Sequence, residues 1–334
     1  MKRIDFEAHC YSPAAIDCFS RRDGYPYYRP EEKALSLSDD LCIKNELKLS
    51  RLTQNCEERI ELMDRFGTWM QILSSSPGIE LLDDVRTATE VARETNDWMA
   101  SFIKKYPKRF KAFAVLPVQD PEASSAELER CMKELGFTGW MAYSNFGLTY
   151  PDDDRYASLF DKAGELGAAV YMHPTHSVEP GGRLTGLGPH MVAAAFGFGI
   201  DTSIAIMRLI LKGTFDRNPG LKLMVGHLGE IFPFILKRMV GMNKINKHEP
   251  AVSKELPDYY FRKNIWVTTS GQFSHESFRC TADVLGIDHI LFGSDFPYES
   301  LEEIDAFNRE LVLSDLDKEK LFFRNAEEYF GIKL

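Results

Sequence analysis

Six cysteines (Cys10, Cys18, Cys42, Cys56, Cys131 and Cys280) include no C-x-x-C pair. A disulfide framework and a zinc knuckle are therefore not expected, and a reducing cytoplasm is the expected compartment. An excess of basic charge is also missing: 40 Lys and Arg stand against 50 Asp and Glu, a formal net charge of −10. Such a chain lacks the electrostatic footprint of a nucleic-acid or anionic-membrane binder. Its short basic clusters, residues 104–111 and 237–238, are interrupted by apolar residues and read as solvated faces. No repeat and no low-complexity segment is visible, and no secretory leader is expected, because Met1-Lys2-Arg3 runs straight into Ile4-Asp5-Phe6-Glu7. The one long apolar stretch, residues 191–211, carries Asp201 and Arg208. A charge near the middle of a membrane helix costs a few kcal/mol, so this stretch reads as a buried helix and not as a span.

What is present is an ordinary globular composition, 44% hydrophobic and 27% charged, over 334 residues. Eight short apolar runs recur along the chain, at residues 3–6, 69–73, 110–116, 137–142, 168–172, 221–225, 265–267 and 290–292. They are too continuous for half-exposed strands and read as strands buried on both faces, the signature of a parallel sheet covered by helices. Helical patterns fall between them, at residues 57–66, 87–106, 123–135, 154–166, 202–213, 231–246, 275–284 and 301–313. Eight strands alternating with helices are expected to close into a distorted (β/α)8 TIM barrel, one α/β domain over residues 1–334. A doubly wound open sheet is the alternative, disfavoured because no G-x-G-x-x-G follows the first strand. Long loops are expected after strand 1 (residues 10–56) and strand 5 (residues 174–220), as lids or assembly surfaces.

In such a barrel the C-terminal strand ends converge on one face. The residues there are Glu7, His9, His173, His227 and Asp295. Taken singly, a histidine closing a strand is more often a hydrogen-bonded surface residue, and an Asp after Gly-Ser is more often a helix cap. Their shared location changes that reading. Nitrogen and oxygen donors without a thiolate suit a hard or borderline divalent ion. Glu7 and His9, two apart on an extended strand, point the same way.

The segments Phe6-Glu7-Ala8-His9, Tyr171-Met172-His173-Pro174, Gly226-His227-Leu228-Gly229-Glu230 and Phe292-Gly293-Ser294-Asp295-Phe296-Pro297-Tyr298-Glu299 resemble the amidohydrolase superfamily. Within it they are most similar to the branch of decarboxylases acting on ortho-hydroxybenzoates, such as γ-resorcylate and 2,3-dihydroxybenzoate decarboxylases. The resemblance spans nearly the whole chain. It implies one divalent ion, Mn2+ or Zn2+ ahead of Mg2+, held by Glu7, His9, His173 and Asp295, with no organic cofactor. It places His227 beside the substrate, oriented by Glu230, and Phe198, His176, Gln272 and Arg238 among the substrate contacts. Two positions depart from the branch. His176 stands where asparagine or another polar residue is expected, and Gln272 where several relatives have asparagine; His176 is open to three readings: loop residue foremost, substrate contact, or support for another side chain.

The activity implied is non-oxidative loss of carbon dioxide from a small aromatic carboxylate, with Asp295 protonating the ring carbon that bears the carboxylate. The alternative is metal-dependent hydrolysis of an amide or lactone, with Asp295 as the base; hydratase, isomerase and non-catalytic metal-binding readings rank lower. Arg238 lies on the helix after His227, roughly 16 Å down its axis at about 1.5 Å per residue. The resemblance matches it to a substrate-binding arginine, so it is expected to reach a neighbouring subunit's site, in a homodimer or a homotetramer built as a dimer of dimers.

Overall fold

The computed structural model describes residues 1–39, 41–175, 187–245 and 253–334. Each of the eight apolar runs coincides with a strand of one parallel sheet. Numbered along the chain, these are β1 (Arg3–Cys10), β5 (Thr68–Ser75), β6 (Phe110–Ala114), β7 (Gly139–Tyr143), β8 (Ala169–His173), β9 (Leu223–Val225), β10 (Ile265–Thr268) and β11 (Ile290–Leu291). Their spatial order is β1-β5-β6-β7-β8-β9-β10-β11. Phe6 N–H donates to Phe292 O at 3.0 Å and His9 N–H to Phe296 O at 2.7 Å, joining the last strand to the first. The fold is a (β/α)8 barrel, as expected.

The buried runs work because both faces are covered. On β1, Phe6 looks outward and meets the Phe330 ring edge-on at 5.5 Å, whereas Glu7 and His9 are fully buried on the inner side. A register irregularity falls between Asp5 and Ala8 of β1, beside Glu7. Bulges of this kind commonly re-aim side chains next to active sites. Gly139 on β7 is sterically required: a Cβ there would sit 2.0 Å from Ala169 O on the neighbouring strand.

The expected helices are present with shifted ends. The segment expected at residues 202–213 is Gly197–Leu211, and the one expected at 301–313 stops at Glu310. Helix Cys56–Phe66 starts where a capping box can form, Asn55 accepting from Glu58 N–H while the Glu58 carboxylate accepts from Asn55 N–H. The apolar stretch at 191–211 divides into helices Pro189–Val192 and Gly197–Leu211. Among the described residues, no helix is long and apolar enough to cross a membrane.

The long connection expected after β1 is present and carries secondary structure of its own. It contains helices Pro13–Ser20 and Glu46–Leu52 and a separate antiparallel sheet of β2 (Tyr27–Arg29), β3 (Ala34–Ser36) and β4 (Cys42–Ile43). Leu35 of β3 is fully buried and joins the hydrophobic core, so the segment is packed structure.

Candidate active site

Four side chains converge at the C-terminal mouth of the barrel. One donor atom each from Glu7, His9, His173 and Asp295 lies within 4.8 Å of the others, and all four residues are buried or nearly so. β1 presents Glu7 and His9 on one face, and His173 is the last residue of β8. Asp295 lies beyond the end of β11 in left-handed backbone, at φ 56°. His9 Nε2 stands 3.4 Å from Glu7 Oε1 and 3.2 Å from Asp295 Oδ1, and His173 Nε2 stands 3.3 Å from Glu7 Oε1.

The imidazoles are held from behind. His9 Nδ1 is 3.1 Å from Ser74 Oγ, and His173 Nδ1 is 2.6 Å from Pro174 O. That leaves each Nε2 facing the carboxylates. Fully buried Arg59 donates to His9 O at 2.5 Å and to Gln71 Oε1 at 3.3 Å, fixing the strand behind the ligand. Asp5 accepts from Ser294 N–H at 2.8 Å and Ser294 Oγ at 2.6 Å, tying the Asp295 turn to β1.

Whether these residues fit a cation is decided by two orphaned atoms. Glu7 Oε1 and His9 Nε2 are buried without a hydrogen-bond partner; their mutual distance of 3.4 Å is an ion contact but not an aligned hydrogen bond. Buried polar atoms are normally satisfied, and these two converge on one point. Electrostatics agree. Burial pushes the Glu7 carboxyl up, but His173 and His9 outweigh it and hold the group well below its ordinary range. Burial likewise opposes a charged His9, yet Asp295 and Glu7 push its imidazole up to about 9. His173 goes the other way, held down by burial against the pull of Glu7. The cluster calls for positive charge, and its N/O donor set fits a divalent ion.

His227 completes the mouth. Its Nδ1 is 2.6 Å from Glu230 Oε1. Burial works against the imidazolium, but Glu230, with Glu7 and Asp295, pushes it up to about 10. Among the described residues, five non-glycine residues have positive φ, and four of them are His227, Leu228, Glu230 and Asp295. Gly271 leaves the space that His227 occupies: a Cβ there would lie 2.6 Å from His227 Cδ2 and 3.3 Å from Asp295 Oδ2.

A cavity of about 430 Å3 opens over this cluster, lined by His173, His227, Asp295, Tyr298 and Phe198 among others. Its outer wall comes from Leu37, Leu41, Ile43 and Lys48 of the segment after β1. A larger cavity, about 640 Å3, lies away from the cluster beneath that same segment and holds none of the four donors. The smaller cavity is the one with chemistry at its base.

Of the residues expected at the site, Glu7, His9, His173, His227, Glu230, Asp295 and Phe198 are brought together. Gln272 is exposed and does not line the cavity. Arg238 is exposed on helix Phe232–Ile245, also outside its own cavity lining. His176 lies outside the described residues. Residues that sequence reasoning missed are Arg59, Tyr171, Thr268 and Tyr298. Of these, Tyr171 and Tyr298 stand inside motifs that carry the resemblance and Thr268 opens a further such segment, Thr268-Thr269-Ser270-Gly271, the one available signal.

Comparison with known proteins follows the same lines. The amidohydrolase family profile matches residues 58–332, a span that excludes Glu7 and His9. A γ-resorcylate decarboxylase of Polaromonas sp. strain JS666 is 33% identical over 292 residues, covering 85% of this chain and 89% of that protein. The structure of 5-carboxyvanillate decarboxylase from Sphingomonas paucimobilis superposes with a TM-score of 0.88 at 30% identity, over 99% of each chain. That of a dihydroxybenzoic acid decarboxylase from Polaromonas sp. JS666, with bound manganese and the inhibitor 2-nitroresorcinol, gives 0.86 at 29% identity, over 99% of this chain and 97% of that one.

Proposed function

The chain belongs to the amidohydrolase family, and on that premise we propose that it is a metal-dependent, non-oxidative decarboxylase of ortho-hydroxybenzoate-type aromatic acids. The observation that carries this reading is the convergence of Glu7, His9, His173 and Asp295 at the base of a cavity that also presents His227. Hydrolysis is the other reaction open to such a site, and the decarboxylase relatives favour loss of carbon dioxide over it.

Glu7, His9, His173 and Asp295 are assigned as the ligands of one divalent ion, Mn2+ foremost, with Zn2+ and Mg2+ as competitors. When bound, the ion supplies charge that fixes and polarises the substrate's carboxylate and neighbouring phenolic oxygen. Asp295 handles the proton. Its Oδ1 faces His9 Nε2 at 3.2 Å, while Oδ2 lies on the side of Gly271 and His227. Transfer from Oδ2 to the ring carbon bearing the carboxylate makes that carbon tetrahedral. The bond to the carboxylate then breaks, its electron pair restores the aromatic ring, and carbon dioxide leaves. Solvent returns a proton to Asp295. Because protonation provides the destination for those electrons, the reaction needs no organic cofactor. His227, its Nδ1 taken by Glu230, turns Nε2 toward the substrate as a donor, and Phe198 packs against the ring.

One catalytic domain spans the chain in this reading. Arg238, exposed and outside its own cavity, reaches the site of a neighbouring copy in a homodimer or a dimer of dimers. All six cysteines are free, in keeping with the cytoplasm. The test of the activity is product analysis on Mn2+-loaded protein in D2O. A 2-hydroxybenzoate should release carbon dioxide and gain one deuterium at the vacated carbon. De-esterified or ring-opened products from amide or lactone substrates, with no carbon dioxide released, would replace this reading with hydrolysis.

A further inference from the structure

Glu7 has two carboxylate oxygens with different surroundings. Oε1 faces His9 and His173 and has no hydrogen-bond partner. Oε2 is met by the hydroxyl of Tyr171, which donates to it. Behind Tyr171 stand two more hydroxyls: Thr268 Oγ1 is 2.8 Å from the phenol oxygen and 3.4 Å from Glu7 Oε2, and Ser270 Oγ is 2.7 Å from Thr268 Oγ1. All four side chains are fully buried. Backbone geometry keeps the room for them, since a Cβ at Gly226 would lie 3.2 Å from the Tyr171 and Ser270 oxygens and 3.3 Å from Glu7 Oε2. The phenol hangs from β8, two residues before His173, and so shares its inner face.

We infer that Tyr171, backed by Thr268 and Ser270, is a positioning residue for Glu7: by occupying Oε2 it reserves Oε1 for the cation and prevents the carboxylate from turning to offer both oxygens. A carboxylate free to rotate loses orientation on each binding event. Tyr171 fixes that rotation from inside the barrel, where no solvent competes. The inference rests on the metal assignment above but not on the reaction.

Titration of metal-free protein with Mn2+, read by calorimetry and by electron paramagnetic resonance of the free ion, tests it without substrate. Tyr171→Phe should raise the Mn2+ dissociation constant by about 10–100-fold, the usual cost of losing a group that orients a ligand. Thr268→Val, which loses only the supporting hydroxyl, should cost less. In a Glu7→Gln background, already weak, Tyr171→Phe should add no further loss, because the amide no longer needs the same restraint. Unchanged Mn2+ affinity in a Tyr171→Phe protein with a native circular dichroism spectrum would overturn the inference. Equal losses in both backgrounds would overturn it too, since they describe a general packing defect. Should Tyr171→Phe fail to fold, Thr268→Val and Ser270→Ala carry the same prediction, and unchanged affinity in both refutes it. A wild-type chain that binds no Mn2+ would overturn the metal assignment and this inference together, whereas tight Mn2+ binding without carbon dioxide release would overturn the reaction alone.

Discussion

The two sides of the metal cluster are built differently. On one side, Glu7, His9 and His173 belong to extended strands of eight and five residues, buried along most of their length. On the other, Asp295 and His227 lie past the ends of β11 and β9, strands of two and three residues, in left-handed backbone at φ 56° and 54°. Extended strand backbone, even at the register irregularity beside Glu7, presents these side chains without left-handed φ values. The left-handed turns are disfavoured for non-glycine residues, by about 1–2 kcal/mol each, and persist because neighbours over-determine them. Asp5 clamps Ser294, Tyr298 N–H donates to Asp295 O at 2.7 Å, and Gly271 leaves room for His227. The difference teaches where function resides: the strand side holds charge, and the strained side holds the groups that must meet the substrate.

The strand side is broken most severely by His173→Ala. It should lose the metal and all measurable turnover while the barrel still folds, as elemental analysis and circular dichroism would establish; full metal occupancy in that variant would remove His173 from the ligand set. On the strained side, Asp295→Asn keeps an oxygen but carries no transferable acid proton. Turnover should fall at least the 10²–10⁴-fold typical of lost general acid catalysis, and a rate within a few-fold of wild type would move the proton donor elsewhere, His227 first. Gly271→Ala would place a Cβ 2.6 Å from His227 Cδ2, a clash, but at 3.3 Å from Asp295 Oδ2 only a tight contact, so it should chiefly displace His227 from a site where a shift near 1 Å can cost about 10²-fold. Metal content should stay at wild-type level, and metal loss here would erase the contrast between the two sides. The smallest effect is expected at Gly199. A Cβ there would lie 2.7 Å from Glu230 Oε2, while the other Glu230 oxygen holds His227. Glycine inside helix Gly197–Leu211 ordinarily costs about 0.5–1 kcal/mol relative to alanine. Gly199→Ala should therefore leave the melting temperature equal or higher while kcat/KM drops roughly 10-fold. A drop in both would make the glycine merely structural.

These two sides were also unequally legible. Glu7-x-His9 and the terminal His173 could be placed from apolar runs alone, because a strand's period of two and its buried ends are local properties. The same runs place His227 and Asp295 at strand ends and the motif resemblance adds Glu230, but nothing in their flanking residues signals left-handed backbone. The segment after β1 reads from sequence as a long lid or assembly loop, and its own strands do not show there because they are two or three residues long, too short for alternation. Its contribution of Leu37, Leu41, Ile43 and Lys48 to the cavity wall is a consequence of folding back over the mouth. Gln272, which the resemblance places among the substrate contacts, faces solvent outside the cavity lining of its own chain.

The sequence by itself determined the eight buried strands, their alternation with helices and hence the barrel, since period and apolar continuity act residue by residue along the chain. It also determined which donors stand at strand ends. Only the tertiary structure decided how those donors are held. Tyr171 reaches Glu7 across 164 positions of chain, Arg59 holds the His9 carbonyl across 50, and Ser294 meets Asp5 across 289. Tyr171 of β8 meets Glu7 of β1 from across the barrel, Arg59 comes from the helix Cys56–Phe66, and Asp5 and Ser294 meet where the last strand closes on the first. Buried polar groups must find partners wherever closure brings them, and that pairing is set by the curvature and register of the barrel, which no local stretch of sequence contains.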